Sequence, residues 1–192
     1  MIILIGILLY HVCLSQSCLP EGIIFTTQSQ IDSFQINYPG CQKIEGNVKV
    51  QGISIKNLYG LSQLREFGAD LVIRNCDSLI RLSGLDSVNH IDGRFTIAYN
   101  SMMRALDGIN ALDTIGGSLA IADNERLEHI NALQNLSFIG SSIGIHLNPK
   151  LKNLDGLYSV KSFARYIYID YNYSLEDIHG LEGICGADAY IK

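Results

Sequence analysis

The stretch Ile115-Gly116-Gly117-Ser118-Leu119-Ala120-Ile121-Ala122-Asp123-Asn124, continued by Leu127, Ile130 and Leu133, returns every 24 residues along the chain. Phe67, Ile91, Ile115, Ile139 and Phe163 fill its first column. Leu71, Phe95, Leu119, Ile143 and Ile167 stand four residues later, and Ile73, Ile97, Ile121, Ile145 and Ile169 two beyond those. The second half of the unit repeats as well, through columns headed by Leu79, Leu82, Leu85 and Val88. Every position of all seven columns is apolar, in a chain that is 47% hydrophobic overall, so chance is no competitor. A shorter first unit runs from Ile44 through Val48, Val50, Leu58, Leu61 and Leu64, with one residue deleted.

Two apolar positions separated by one residue describe a short strand with one buried face. The later columns, three residues apart, describe a tighter, turn-rich path of 3₁₀ character. A unit of this size cannot bury its apolar face alone, so neighbours must stack, about 4.8 Å apart at the spacing of paired strands. The expected fold is therefore a β-solenoid of about six 24-residue coils, with a parallel sheet along one side and a length of roughly 30 Å.

Nine residues into the units stand Cys76, Asn100, Asn124, Asn148 and Asn172. A buried asparagine at the bend after a strand can bond the backbone of adjacent coils, and cysteine is a usual substitute there in leucine-rich repeats. These five are expected to form a structural ladder, with Cys76 reduced and buried. Gly60, Gly84, Gly108, Gly156 and Gly180 mark one turn, with Ala132 the exception, and fit a backbone that larger side chains would resist.

Units such as Ile115 to Asn124 with Leu127, Ile130 and Leu133 resemble the receptor L domain family, known from ectodomains of insulin- and epidermal-growth-factor-type receptors and from bacterial surface proteins. The resemblance runs from about Cys18 to Lys192 and implies a leucine-rich-repeat-like right-handed β-helix. Cys18-Leu19-Pro20-Glu21-Gly22 and Tyr38-Pro39-Gly40-Cys41 resemble the N-terminal cap of bacterial members. It is specific for architecture and weak for function, because one fold serves many partners.

Three regions are expected: a signal peptide at 1–17, an N-terminal cap at 18–43 and the repeats at 44–192. Met1 to Leu9 is almost wholly apolar and is followed by Ser15, Gln16 and Ser17, the pattern of an exported leader cleaved after Ser15 or Ser17, although no Lys or Arg precedes the apolar run. The run is too short to span a bilayer, so no direct membrane span is expected in the mature chain. In the cap, Thr27 and Gln30 have the spacing of a capping box, ahead of Ile31, Phe34 and Tyr38 on one helical face. With Cys13 removed, Cys18, Cys41, Cys76 and Cys185 permit three pairings; Cys18–Cys41 is favoured because it brackets the cap. In the 24-residue register Ala187 opens a further unit and Ile191 takes its first strand column, which leads to the expectation of a fragment of a longer protein.

A net charge of −5 and the lack of any Lys/Arg cluster argue against nucleic acid as partner. No cofactor or metal is expected. His90, His129, His146 and His179 fall at different positions of the repeat and do not stack into a ligand set. Asp70 and Asp170, on the outward strand face, are four coils or about 19 Å apart, whereas glycoside cleavage needs carboxyls about 5 to 10 Å apart. An enzyme is therefore not expected. The one distinctive outward surface is the last full coil, with Tyr166, Tyr168, Asp170 and Tyr171 beside His146, where the middle coils carry Ala, Ser and Gly. Tyrosine is favoured at interfaces because it is large, rigid and amphipathic. The leading expectation is a secreted or cell-surface recognition module that binds a protein or glycan through this face; the alternative is a passive spacer in a larger surface protein, and a distant third a β-helix carbohydrate-active enzyme.

Overall fold

The units opening at Phe67, Ile91, Ile115 and Ile139 each contribute strands to two parallel sheets. The computed structural model describes residues 16–161, 165–184 and 188–192. One sheet has eight strands in chain order: Ile23–Phe25, Val48–Gln51, Leu71–Arg74, Phe95–Ala98, Leu119–Ala122, Ile143–His146, Tyr166–Asp170 and Asp188–Ile191. The other has six shorter strands: Gln16–Cys18, Cys41–Ile44, Glu66–Phe67, His90–Ile91, Thr114–Ile115 and Phe138–Ile139. Through the middle of the larger sheet the register advances by one unit per strand, pairing Leu71 with Phe95, Phe95 with Leu119 and Leu119 with Ile143. At the shortened first unit Val48 pairs with Leu71, a step of one residue less.

These findings correct the expectation of a right-handed β-helix of about six coils with its strands along one side. The described residues form two open parallel sheets, of six and eight strands, with few helices. In the column Phe67, Ile91, Ile115 and Ile139 each residue joins the one before it in a two-residue strand, and these build most of the second sheet. The larger sheet also gains a strand from the region read as a cap, Ile23–Phe25, and its far edge is Asp188–Ile191, around the expected strand position Ile191.

Burial explains why the columns are apolar. Leu71, Ile73, Leu79, Leu82, Leu85 and Val88, and their counterparts in the next three units, are essentially inaccessible and form one continuous cluster. Each such side chain contributes about 1.5–3 kcal/mol relative to leaving it in water. The column member Phe163 lies outside the described residues. Short 3₁₀ turns at Tyr59–Leu61, Asn131–Leu133, Asp155–Leu157 and His179–Leu181 carry the chain past the glycine column. At Gly84 the backbone has φ +113°, and a Cβ there would meet the Leu58 carbonyl carbon and oxygen at 2.2 Å.

The N-terminal end is closed by two short helices, Gln28–Asp32 and Phe34–Asn37. Thr27 accepts from the Gln30 N–H while the Gln30 side chain accepts from the Thr27 N–H, a reciprocal capping box. Ile31 and Phe34 are buried, and the Phe34 ring packs between Phe25 (5.8 Å) and Tyr38 (5.2 Å). The disulfide Cys18–Cys41 joins the first two strands of the smaller sheet. Gln16 and Ser17, assigned to the leader by sequence, belong to the first of those strands; residues 1–15, including Cys13, lie outside the described residues. Among the described residues no helix is long and apolar enough to cross a membrane.

Candidate functional site

The five ladder residues sit where each long strand ends, immediately after a residue in the left-handed region: Asn75, Tyr99, Asp123, Leu147 and Tyr171, with φ between 51° and 58°. That conformation costs a side-chain-bearing residue energy, and the ladder is what holds it. Oδ1 of Asn100, Asn124, Asn148 and Asn172 accepts the backbone N–H of the ladder residue one unit earlier, at 3.0–3.2 Å. Their Nδ2 groups donate to the carbonyls of Ile73, Ile97, Ile121 and Ile145. Cys76 opens the row with its thiol directed at the Val50 and Arg74 carbonyls, and burial pushes its pKa up to about 11. Cys185 lies outside the described residues.

The ladder turns the chain so that the larger sheet presents one face outward. Its central row runs Ile24, Lys49, Val72, Thr96, Ala120, Gly144, Tyr168 and Tyr190, each the register partner of the next. The middle of the face, at Thr96, Ala120 and Gly144, is thus a floor of small side chains leading to an aromatic end. The Tyr168 and Tyr190 rings stack 5.1 Å apart and 9° from parallel, and His146 meets Tyr168 edge-on at 5.9 Å. Tyr168 and Tyr190 remain 43% and 49% exposed, so the stack is open to a partner. Tyr166, equally exposed, lies under the Arg165 guanidinium, 5.3 Å from its ring centre.

The structure divides the residues that the sequence grouped together. Tyr166, Tyr168 and His146 share the outward face. Asp170 is buried: its Oδ2 accepts from the Tyr168 hydroxyl at 2.7 Å, while Oδ1 has no partner among the described residues. The hydrogen bond to Asp170, then burial and the nearby negative charge, push the Tyr168 hydroxyl up to about 12. Asp170 thus aims the tyrosine. Tyr171 leaves the face altogether and lines a groove at the bend.

Tyr190 was missed. A strict 24-residue step puts Ile191 in the first inward column of its strand; instead Ala189 pairs with Ile167 and Ile191 with Ile169, so the last step is two residues short. Tyr190 thereby lands beside Tyr168. The alternation Tyr166-Ile167-Tyr168-Ile169, matched against Tyr190-Ile191, is the signal that finds it.

The groove at the bend runs across five units and encloses about 480 Å³. One wall is the left-handed row itself; the other is the row two residues on, Asp77, Ser101, Glu125, Pro149 and Tyr173. Among the described residues no three His, Cys, Asp or Glu side chains converge in a way that could hold a metal ion. Asp70 serves structure, its Oδ1 accepting from the Arg94 N–H at 2.7 Å. No family model matches the chain, and no curated protein matches it.

Proposed function

We propose that the chain is an exported, non-enzymatic recognition module that binds a protein or glycan partner through the outward face of its eight-stranded sheet. The observation that carries this reading is the exposed Tyr168–Tyr190 stack at the edge of a floor of small residues. Parallel rings offer a flat, rigid apolar surface at little conformational cost, and their hydroxyls can order a polar partner. The floor beside them lets a partner approach the sheet closely. Asp170 fixes one hydroxyl, so the surface is organised before binding.

Export is supported by the Cys18–Cys41 disulfide, because such bonds persist in oxidising compartments. The resemblance of the repeats to receptor L domains supports a recognition role. The test presents the purified chain to an array of glycans and to a panel of immobilised extracellular protein domains, and compares it with Tyr168→Ala and Tyr190→Ala. A specific ligand lost by at least about tenfold in both variants is expected, as for aromatic anchors at an interface. If no ligand is found, or both variants bind it as the parent does, the recognition reading fails and a spacer role takes its place.

A further inference from the structure

We propose that the groove at the bend is a second site, separate from the sheet face, and that it takes an extended cationic segment of polypeptide. Along its length the units alternate in character. Asp77 lies in the first unit, Tyr99 in the second, Asp123 and Glu125 in the third, Leu147 in the fourth, and Tyr171 with Tyr173 in the fifth.

No Lys or Arg lines it, and among the described residues Asp77, Asp123 and Glu125 enter no ion pair. Asp77 is held by the Ser101 hydroxyl at 2.8 Å, while the other two carboxylates face the groove uncompensated. At about 4.8 Å per unit the acidic levels are about 10 Å apart and the groove about 19 Å long. An extended peptide of about six residues covers that length.

The chemistry of the walls selects the occupant. A lysine or arginine stem laid over the Tyr99 ring brings its charge to a carboxylate on either side, and a cation is attracted to the ring face. Leu147 and the edge-to-face pair Tyr171–Tyr173, with ring centres 6.2 Å apart, receive an apolar side chain at the far end. Anionic partners are repelled by the same carboxylates, so charge sets the specificity.

The left-handed row keeps the walls in place. Each of its residues is followed by a ladder residue anchored in the core, so the groove exists before a partner arrives.

The test is fluorescence anisotropy on the whole chain with a labelled peptide of alternating lysine and leucine, against a matched glutamate–leucine peptide. The lysine peptide is expected to bind and the glutamate peptide not. Raising the salt from about 20 mM to about 300 mM is expected to weaken binding severalfold, since exposed charges are screened at that ionic strength. Asp123→Asn with Glu125→Gln is expected to cost about tenfold and Tyr99→Ala about threefold to tenfold. Asn suits the left-handed backbone at position 123 as well as Asp does, so the double variant keeps its fold, which its unfolding temperature verifies. Glu21→Gln with Glu45→Gln removes the same charge at the other end of the molecule and is expected to leave binding unchanged. Equal binding of both peptides, equal losses in the two double variants, or binding of a neutral chito-oligosaccharide that Tyr99→Ala abolishes would each overturn the proposal. Tyr168→Ala reports separately on the sheet face.

Discussion

Asn124 and Asn148 meet through a shared acceptor: the Asn148 Oδ1 takes both the Asn124 backbone N–H, at 3.2 Å, and its Nδ2, at 3.1 Å. The same atoms recur one unit on, from Asn148 to Asn172. Each buried bend therefore depends on the side chain of the next unit, and removing one link leaves polar groups on both sides unpaired.

Asn124→Ala strips the acceptor from the Asn100 N–H and the donor from the Ile97 carbonyl, both buried. Each orphaned group costs about 1–3 kcal/mol, so urea unfolding is expected to show a loss of about 3 kcal/mol or more. Asn172→Ala, at the most accessible of the four asparagines, is expected to lose less. A loss below about 0.5 kcal/mol for Asn124→Ala would refute the ladder's role in stability.

Gly84 carries φ +113° with the Leu58 carbonyl carbon and oxygen 2.2 Å from where a Cβ would stand. Gly84→Ala is expected to destabilise by about 1–3 kcal/mol through strain and forced displacement. Ala132 occupies the same column without a positive φ, so its turn already accommodates the methyl group. Ala132→Gly is expected to change stability by about 1 kcal/mol or less. Thermal unfolding of the pair separates a backbone requirement from a mere preference for small side chains.

Lys43 lies 3.0 Å from Asp92 and 3.3 Å from Glu66. Burial alone would raise the Asp92 carboxyl, but Lys43 and His90 together outweigh it and hold the group below its usual value. The hydrogen bond to Asp92 leads in raising Lys43, against partial burial. The Asp92 contribution is therefore complete above the ordinary carboxylate range and lost as pH falls through its lowered value. The Lys43 contribution is complete below its ordinary value and lost as pH rises through the raised one. Both groups are partly exposed, so Asp92→Asn is expected to cost no more than about 1 kcal/mol at neutral pH, and progressively less as pH falls through the lowered Asp92 value. Unfolding curves at neutral pH and below that value check it.

Reduction of Cys18–Cys41, or Cys18→Ser with Cys41→Ser, opens a loop of 23 residues' separation. The unfolded chain regains entropy worth about 3 kcal/mol on the loop-closure argument. The strand Gln16–Cys18 and the helices that carry Ile31 and Phe34 are expected to exchange amide hydrogens faster, while the Leu119–Ala122 strand keeps its protection. Uniform acceleration throughout would show that the end does not act as a separate closure.

The repeat told which residues are buried because burial leaves a period in the sequence: Ile97, Ile121 and Ile145 are inward for the same reason and read alike. The second sheet left almost no trace. His90–Ile91 and Thr114–Ile115 are two residues long, and a strand that short shows no alternation. The ladder asparagines were legible because a polar residue at a fixed place in an apolar repeat has few physical uses. The aromatic face was half legible: Tyr166 and Tyr168 follow from alternation, but Tyr190 depends on a two-residue shortening that no column announces. Asp170 occupies an outward position yet is covered by its neighbours, which alternation alone does not reveal.

Tyr168 offers a direct probe of whether that face is organised in solution. Its hydroxyl donates to Asp170, and the contact holds its pKa up to about 12, whereas an unfolded tyrosine ionises near 10. A raised folded value means that the contact's stabilisation is whole below about pH 10 and disappears as pH climbs toward 12. Followed through the tyrosinate absorbance or the ring signals in an NMR titration, Tyr168 is expected to ionise well above the ordinary tyrosine value near 10. Asp170→Asn removes the charge but keeps an acceptor, and is expected to bring Tyr168 back toward 10. Ionisation of Tyr168 near 10 in the parent protein would mean that the hydroxyl is not held. The stacked pair would then be free to reorient, and a partner would have to bear the cost of ordering it.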